Sequence, residues 1–160
     1  MELLERYVKP FVNATLHTFK EFVGFELTAG NPYFSGRSAE FEPDISAVIG
    51  LSGDIRGAVV ISMKKRFAIK VADTLVGTEH TEMDDDIVDA IGEIVNIIAG
   101  NMKQEAPGGD RIVISLPTVI KGSEHSFAWP GKRLRILCIS FKCEEDSFHL
   151  LVDMERVKEV

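Results

Sequence analysis

Hydrophobic residues recur at helical spacing in three stretches of the chain. The first covers residues 10–23 and is followed by Gly24, a residue that commonly ends helices. We expect Pro10 in the first turn of this helix, where its missing N–H costs nothing. The same spacing predicts a second helix over residues 65–76 and a longer third helix over residues 84–104.

Alternating apolar residues and β-branched residues predict strands between and after these helices. Residues 45–51 alternate, and residues 58–63 resume with β-branched side chains after the turn sequence SGDIRG. Four further strands are predicted beyond the third helix, over residues 112–120, 126–129, 134–141 and 148–152. Because helices and strands come in blocks rather than in alternation, we expect an α+β fold, an antiparallel β-sheet covered by helices. No linker interrupts the sequence, which favours a single domain over residues 1–160.

The net charge of −7 is concentrated in one part of the chain. Between Lys70 and Lys103 there are eight acidic residues and no basic one, so the rest of the sequence is nearly neutral. Nucleic acids and anionic membranes require a basic footprint, and we expect neither as a partner. The longest apolar runs have about five residues, whereas a membrane-spanning helix needs ~20. The charged start MELLERYVK is unlike a signal peptide, so a cytoplasmic protein is expected.

Two groups of potentially reactive residues are assigned no chemical role. Cys138 and Cys143 have an odd spacing that places them on opposite faces of a strand, so two buried free thiols are expected. His80 lies in an acidic loop, residues 79–84, whose carboxylates could gather a metal ion with it. That spacing is weak evidence for a metal site, and a solvated loop before the third helix is favoured. We therefore predict no metal site in this chain.

The third predicted helix separates an apolar face from a polar one. Its apolar face carries Ile87, Ile91, Ile94 and Ile98. Within an arc of roughly 80° on the other side lies the polar stripe: Asp89, Glu93, Asn96, Gly100 and Lys103. Gly92 and Gly100 border or lie in this stripe, although glycine inside a helix costs about 1 kcal/mol relative to alanine. This cost suggests that something approaches the backbone closely there. A solvated surface alone would also explain a polar stripe.

The motif on this helix resembles that of a known phosphatase family. Asp89-x3-Glu93-x2-Asn96, followed by Pro117, is similar to the signature of the CheC/CheX/FliY phosphatases of bacterial chemotaxis. Three further segments resemble the CheX members of that family in register: KPFVNAT, IGLSGDIRGAVVIS and EIVNIIAGNMK. The resemblance extends from about residue 8 to the last predicted strand.

This resemblance implies a phosphatase that acts on a phosphorylated CheY-like receiver domain. In the family the glutamate of the motif, here Glu93, pairs with the active-site lysine of the receiver. The asparagine, here Asn96, orients the attacking water, and Asp89 matches a position of supporting role. The partner-binding surface is predicted to include Gly92, Gly100 and Lys103.

The resemblance also implies the cofactor and the assembly. The family's metal ion, Mg2+, is bound by the receiver, so no cofactor is expected on this chain. The family forms homodimers through its sheets, which implies a homodimer here. Residues 134–141 add mild support, because both faces of that strand are partly apolar and an edge could pair with another chain. Burial of both faces within one subunit is the alternative.

Two hypotheses for function stay open at this point. One is the receiver phosphatase, and the other is a non-catalytic module that uses the same helix to dock on a receiver or on a flagellar-motor component. The intact pair of Glu93 and Asn96 favours the enzyme, because a binding surface does not need an amide that positions water. The acidic helix favours a protein substrate, since it would repel a free phosphate dianion but can dock on a basic group beside one.

Overall fold

The structure is a computed structural model of the 160-residue chain, and it describes residues 2–35, 42–123, 125 and 136–157. The helices are α1 (Glu2–Thr18), α2 (Lys65–Val76) and α3 (Asp85–Glu105). A π-helical turn, Phe19–Val23, continues α1, and a 3-10 turn, Gly109–Arg111, follows α3. The strands are β1 (Thr28–Ala29), β2 (Tyr33–Ser35), β3 (Ile45–Gly53), β4 (Ile55–Met63), β5 (Ile112–Ile114), β6 (Thr118–Lys121), β7 (Ile136–Cys143) and β8 (Asp146–Arg156).

The described strands form one antiparallel sheet. Its order is β1-β7-β8-β4-β3-β5, with β2 also paired to β7 and β6 also paired to β3. The β3–β4 hairpin aligns Ile45 with Met63 and Leu51 with Gly57, and β8 pairs along the whole length of β4. These long central strands give the helices a continuous surface to pack on. The predicted α+β class, with an antiparallel sheet and helices over it, is confirmed.

The hydrophobic core lies between the helices and one face of the sheet. Three phenylalanine rings surround Phe148 of β8, with centroids 4.8 to 5.4 Å from it: Phe19, Phe67 and Phe141. They join the π-helical turn after α1, helix α2 and the sheet in a single cluster of buried side chains. The third helix contacts both other helices and the strands beneath, so it is fixed on all sides but one.

The start of the first helix was predicted wrongly. The helix begins at Glu2, eight residues earlier than expected, and Pro10 is buried in its interior. A proline there removes one backbone hydrogen bond and usually disfavours the helix by ~3 kcal/mol. The apolar stripe continues on the far side of Pro10, where Leu4 and Tyr7 are buried in line with Phe11. Burial of that stripe offsets the cost of the proline.

The other predicted helices and strands that lie within the described residues were confirmed with small differences in extent. The helices α2 and α3 and the β3–β4 hairpin lie where they were expected. The strand predicted over residues 112–120 is divided into β5 and β6 by the segment Ser115–Pro117. Cys138 and Cys143 are free thiols, as expected, but only Cys138 is buried; Cys143 lies near the end of β7 and is half-buried. The strand predicted over residues 126–129 lies outside the described residues.

The suggestion that β7 could offer an open edge to another chain is wrong. This strand pairs with β8 on one side and with β1 and β2 on the other. The two short strands that cover it were not predicted. Residues 136–139 are buried on both faces of the sheet, in agreement with the alternative of burial within one subunit. The homodimer therefore stays a prediction that rests on the family resemblance.

Candidate active site

The third helix is held at both ends by charges of the favourable sign. Asp84 is its N-cap, and the carboxylate accepts a hydrogen bond of 3.2 Å from the backbone N–H of Ile87. Asp85 and Asp86 lie in the first turn and Lys103 in the last, as the helix dipole favours. The acidic cluster therefore stabilises the start of the helix that carries the polar stripe.

Burial separates the two faces of α3 as the sequence predicts. The four isoleucines at positions 87, 91, 94 and 98 are 0% exposed. On the opposite side, Asp89 and Glu93 are exposed, whereas Asn96 and Lys103 are half-buried. The structure thus brings Asp89, Glu93, Asn96 and Lys103 together on one solvent-facing side of one helix.

Neither Glu93 nor Asn96 is engaged inside the chain. Among the described residues, neither side chain has a hydrogen-bond or ion-pair partner. Asn101 of the same helix differs, because its Nδ2 donates to Oγ1 of Thr18 on α1 at 3.2 Å. The carboxylate of Glu93 and the amide of Asn96 lie one turn apart and are available to another molecule.

The two glycines near the stripe have different surroundings. Gly92 is buried, and a Cβ placed there would lie 3.3 Å from Cγ2 of Val119 and 3.6 Å from Cγ of Pro117. The close approach inferred from this glycine is therefore made by the chain itself. Gly100 is half-buried and has no atom within 4 Å of a Cβ position, so its surface is open to a partner.

The segment from Ile114 to Val119 runs beside the polar stripe. Ile114 lines a depression of about 420 Å³ together with Gly100 and Lys103 near the end of α3. Pro117 packs on Gly92, which lies two turns earlier in the helix. The residues between Ile114 and Pro117 consequently flank the turn of α3 that carries Asn96. We call Ser115, Leu116 and Pro117 the flanking loop.

The acidic loop is mostly exposed, as expected, but His80 within it is an exception. Its side chain is 5% exposed, with Nδ1 at 2.7 Å from Oδ1 of Asp73 and Nε2 at 3.2 Å from Oδ2 of Asp86. Hydrogen bonds to Asp73 and Asp86 raise the pKa of this imidazole. His80, Asp84 and Asp86 place ligand-type atoms within 4.8 Å of one another, and His80 also joins α2 to the start of α3. The cluster is thus a structural clamp at the start of the site helix.

A comparison with protein families decides which family the chain belongs to. The family model described as "Chemotaxis phosphatase CheX" matches residues 45–142, a stretch that includes the polar stripe and the flanking loop. The chain belongs to the CheX family of chemotaxis phosphatases. The resemblance seen in the sequence is confirmed.

CheX relatives cover nearly the whole chain. The CheY-P phosphatase CheX of Thermotoga maritima is 28% identical over 149 residues, which are 92% of this chain and 96% of that protein. The crystal structure of CheX from Desulfovibrio desulfuricans has a TM-score of 0.83 and 27% identity, over 93% of this chain and 99% of that one. The CheX–CheY–BeF3–Mg2+ complex from Borrelia burgdorferi has a TM-score of 0.78 and 22% identity, over 94% of this chain and 98% of that one. At 22% identity, the match to the Borrelia burgdorferi complex shows that the two proteins share a fold.

One residue beside the stripe was missed by the sequence analysis. Leu116 of the flanking loop is 87% exposed, although it lies in an apolar segment that predicted one continuous strand. Alternation of apolar residues assigns faces only within regular strands, so it gives no orientation for a residue in a break between two strands. In the sequence, Pro117 in the dipeptide Leu116-Pro117 indicates that break, because proline cannot donate a backbone hydrogen bond to a neighbouring strand.

Proposed function

We propose that this protein is a phosphatase that hydrolyses the aspartyl phosphate of a CheY-type receiver domain. Membership of the CheX family supports the reaction class, and the relative from Thermotoga maritima is named a CheY-P phosphatase. The position of Glu93 and Asn96 is the main structural support for this activity. Both face solvent from adjacent turns of α3, and neither is bonded to another described side chain.

Glu93 supplies the docking contact in this proposal. Its exposed carboxylate pairs with the lysine beside the phosphorylated aspartate of the receiver. Asp89 lies one turn earlier on the same face and adds negative charge toward the same basic group. Lys103 and Gly100 extend the contact surface toward the end of the helix.

Asn96 positions the nucleophile in this proposal. An aspartyl phosphate is an activated mixed anhydride, so its hydrolysis needs positioning and charge stabilisation more than a strong base. The side-chain amide of Asn96 holds a water in line with the phosphorus–oxygen bond. The water oxygen bonds to phosphorus as the bond to the aspartate oxygen breaks, and both water protons leave on the product as dihydrogen phosphate, which then loses one of them to the solvent. The receiver aspartate returns as a free carboxylate.

The acidic site surface fits a protein substrate better than a free phosphoester. Eight acidic residues and no basic one lie between Lys70 and Lys103, and α3 begins with three of them. Such a surface repels a phosphate dianion in solution but attracts a basic group on a protein. The phosphoryl group therefore arrives as part of a receiver that docks first.

The proposal includes the cofactor, the location and the assembly. Mg2+ belongs to the receiver, and this chain supplies positioning groups only.

Among the described residues no helix is both long and apolar enough to span a membrane. A cytoplasmic location is proposed because phosphorylated CheY-type receivers are the substrate. We also propose a homodimer on the basis of the family resemblance.

Phosphate release from a purified phospho-receiver tests the proposed activity. With this protein at one-tenth of the receiver concentration, we expect multiple turnovers and a rate above that of the receiver alone. A non-catalytic docking module would bind the receiver without accelerating release. Binding without acceleration would contradict the proposal and favour that alternative.

A further inference from the structure

Leu116 is the most exposed large hydrophobic side chain among the described residues. It is 87% exposed, against 58% for Val113 and 52% for Phe22, the next in order. A single exposed apolar residue needs no explanation by itself. Leu116 differs from the other exposed hydrophobic residues because it lies beside the polar stripe. Its loop is also held in place by hydrogen bonds and packing.

The flanking loop is fixed by hydrogen bonds on one side and by packing on the other. The backbone N–H of Ser115 donates to the carbonyl oxygen of Gly50 at 3.0 Å, and the N–H of Gly50 donates to Oγ of Ser115 at 2.8 Å. The same Oγ donates to the carbonyl oxygen of Leu116 at 2.9 Å. Pro117 packs against Gly92 of α3. Leu116 is therefore held outward by ordered neighbours on both sides.

The loop stands at the edge of the stripe where Asn96 lies. At about 100° per residue, Gly92 is roughly 40° from Asn96 around the helix axis and about 100° from Glu93. Pro117 contacts Gly92, so the loop borders the Asn96 side of the stripe. Asn96 is half-buried there, whereas Glu93 is exposed on the open side. A partner must come close to the loop before its phosphoryl group reaches the Asn96 amide.

We infer that Leu116 is an apolar anchor that the phosphorylated receiver covers when it docks on the polar stripe. This inference rests on the proposed function and adds a specificity contact to it. The occupant is the receiver surface next to the acyl phosphate, because that surface must descend on Asn96 past the protruding leucine. Such a receiver presents an apolar patch beside its active site. Receivers with a charged patch there are poor substrates.

Leu116 acts on binding and not on the chemical step. Its side chain carries no group that could hold water or stabilise charge, and the loop backbone keeps its bonds to Gly50 when the side chain changes. Loss of an interaction made equally in the ground state and the transition state raises KM and leaves kcat unchanged. A rise in KM at constant kcat therefore identifies the role of Leu116, whereas loss of Asn96 lowers kcat.

The test is Leu116→Ser, assayed by phosphate release over a range of phospho-receiver concentrations. We expect KM to rise by about tenfold or more with kcat within twofold of wild type; a tenfold change corresponds to about 1.4 kcal/mol. Leu116→Met restores an apolar side chain and should return KM to within about threefold of wild type. Val76→Ser is the matched control, since Val76 is 45% exposed at the last residue of α2. Its KM should equal that of wild type.

A direct titration separates failure of this inference from failure of the proposed function. The receiver loaded with beryllium fluoride is titrated into wild type and into Leu116→Ser, and affinity for the variant should fall by the same factor as KM rises. Equal affinity and equal KM in the two proteins would overturn the anchor while leaving the phosphatase activity intact. A lower kcat at unchanged KM would overturn it as well. Wild type that binds the loaded receiver but releases no extra phosphate would overturn the proposed function, with the titration still deciding on Leu116.

Discussion

Gly92 and Pro117 lie so close that a Cβ atom on the glycine would be 3.6 Å from Cγ of the proline. The same Cβ would be 3.3 Å from Cγ2 of Val119, a contact that leaves no room for a larger side chain. Gly92 precedes Glu93 directly and lies one turn before Asn96. The spacing between α3 and the flanking loop is therefore set at the candidate site itself.

Gly92→Val should destabilise the fold and lower activity. Its methyl groups would meet Val119 and Pro117, and overpacking of this kind costs ~1–3 kcal/mol. Gly100→Ala is the control for helix propensity, because no atom lies within 4 Å of a Cβ there. Gly100→Ala should stabilise the fold by up to ~1 kcal/mol. It should also weaken receiver binding, because the added methyl group would lie on the proposed contact surface. Chemical denaturation measures both free energies of unfolding, and equal stability of Gly92→Val and wild type would contradict the packing argument.

Glu93→Lys should weaken binding to the receiver more than Glu93→Ala does. Alanine removes the attraction to the receiver's lysine, and lysine replaces it with repulsion; a desolvated pair of this kind is worth ~2–5 kcal/mol. Titration against beryllium fluoride-loaded receiver gives the affinities at low and high salt. Glu21→Lys makes the same charge change on the exposed π-helical turn after α1 and should leave affinity within about threefold. Equal affinity of wild type and Glu93→Lys would refute the docking role.

His80 should make the stability of the fold depend on pH. Hydrogen bonds to Asp73 and then to Asp86 raise the pKa of His80 above its ordinary value of 6.5, and Asp84 faces the same ring. A raised pKa in the folded state means that protonation stabilises the fold. That contribution is complete below pH ~6.5 and is lost as pH rises through the raised value.

Thermal unfolding of wild type and His80→Gln between pH 5.5 and about pH 9 measures this effect. The stability difference between the two proteins should be largest at the acidic end and shrink as the pH rises. A difference that stays constant, or that grows with pH, would contradict the protonated clamp between α2 and α3.

The proposed homodimer is tested by sedimentation at micromolar concentration. The dimer should have twice the mass of the 17.7 kDa chain and should dissociate on dilution. Because β1 and β2 pair with β7, a dimer cannot form by adding a strand of another chain to the edge of β7. A species of 17.7 kDa at all concentrations would exclude the dimer. The catalytic proposal would be unaffected, since Glu93 and Asn96 come from one helix of one chain.

The site helix could be predicted from the sequence because several local signals agree on it. Asp84 caps its start, four isoleucines repeat at helical spacing, and APGGD ends it, so tertiary packing had little to add. The grouping of Asp89, Glu93 and Asn96 on one face follows from the same regular geometry. These signals are all contained within about twenty residues of chain.

Features that depend on distant neighbours could not be predicted in this way. The strands β1 and β2 have two and three residues, too few for a period to show, and they exist through pairing with β7. Pro10 was placed at a helix start by a local rule, whereas burial of Leu4 and Tyr7 extends the helix past it. The contact of Gly92 with Pro117 and the exposure of Leu116 likewise depend on residues more than twenty positions apart or on a break between strands.

The variant Asn96→Ala tests whether Asn96 positions the attacking water. Single-turnover dephosphorylation is measured with the phospho-receiver fully bound, next to Asn101→Ala, which removes an amide that bonds to Thr18 on a different side of α3. Asn96→Ala should bind the receiver nearly as well as wild type and lose ~100-fold or more of the acceleration. Asn101→Ala should keep the wild-type rate. An Asn96→Ala variant with the wild-type single-turnover rate would show that Asn96 does not position the water.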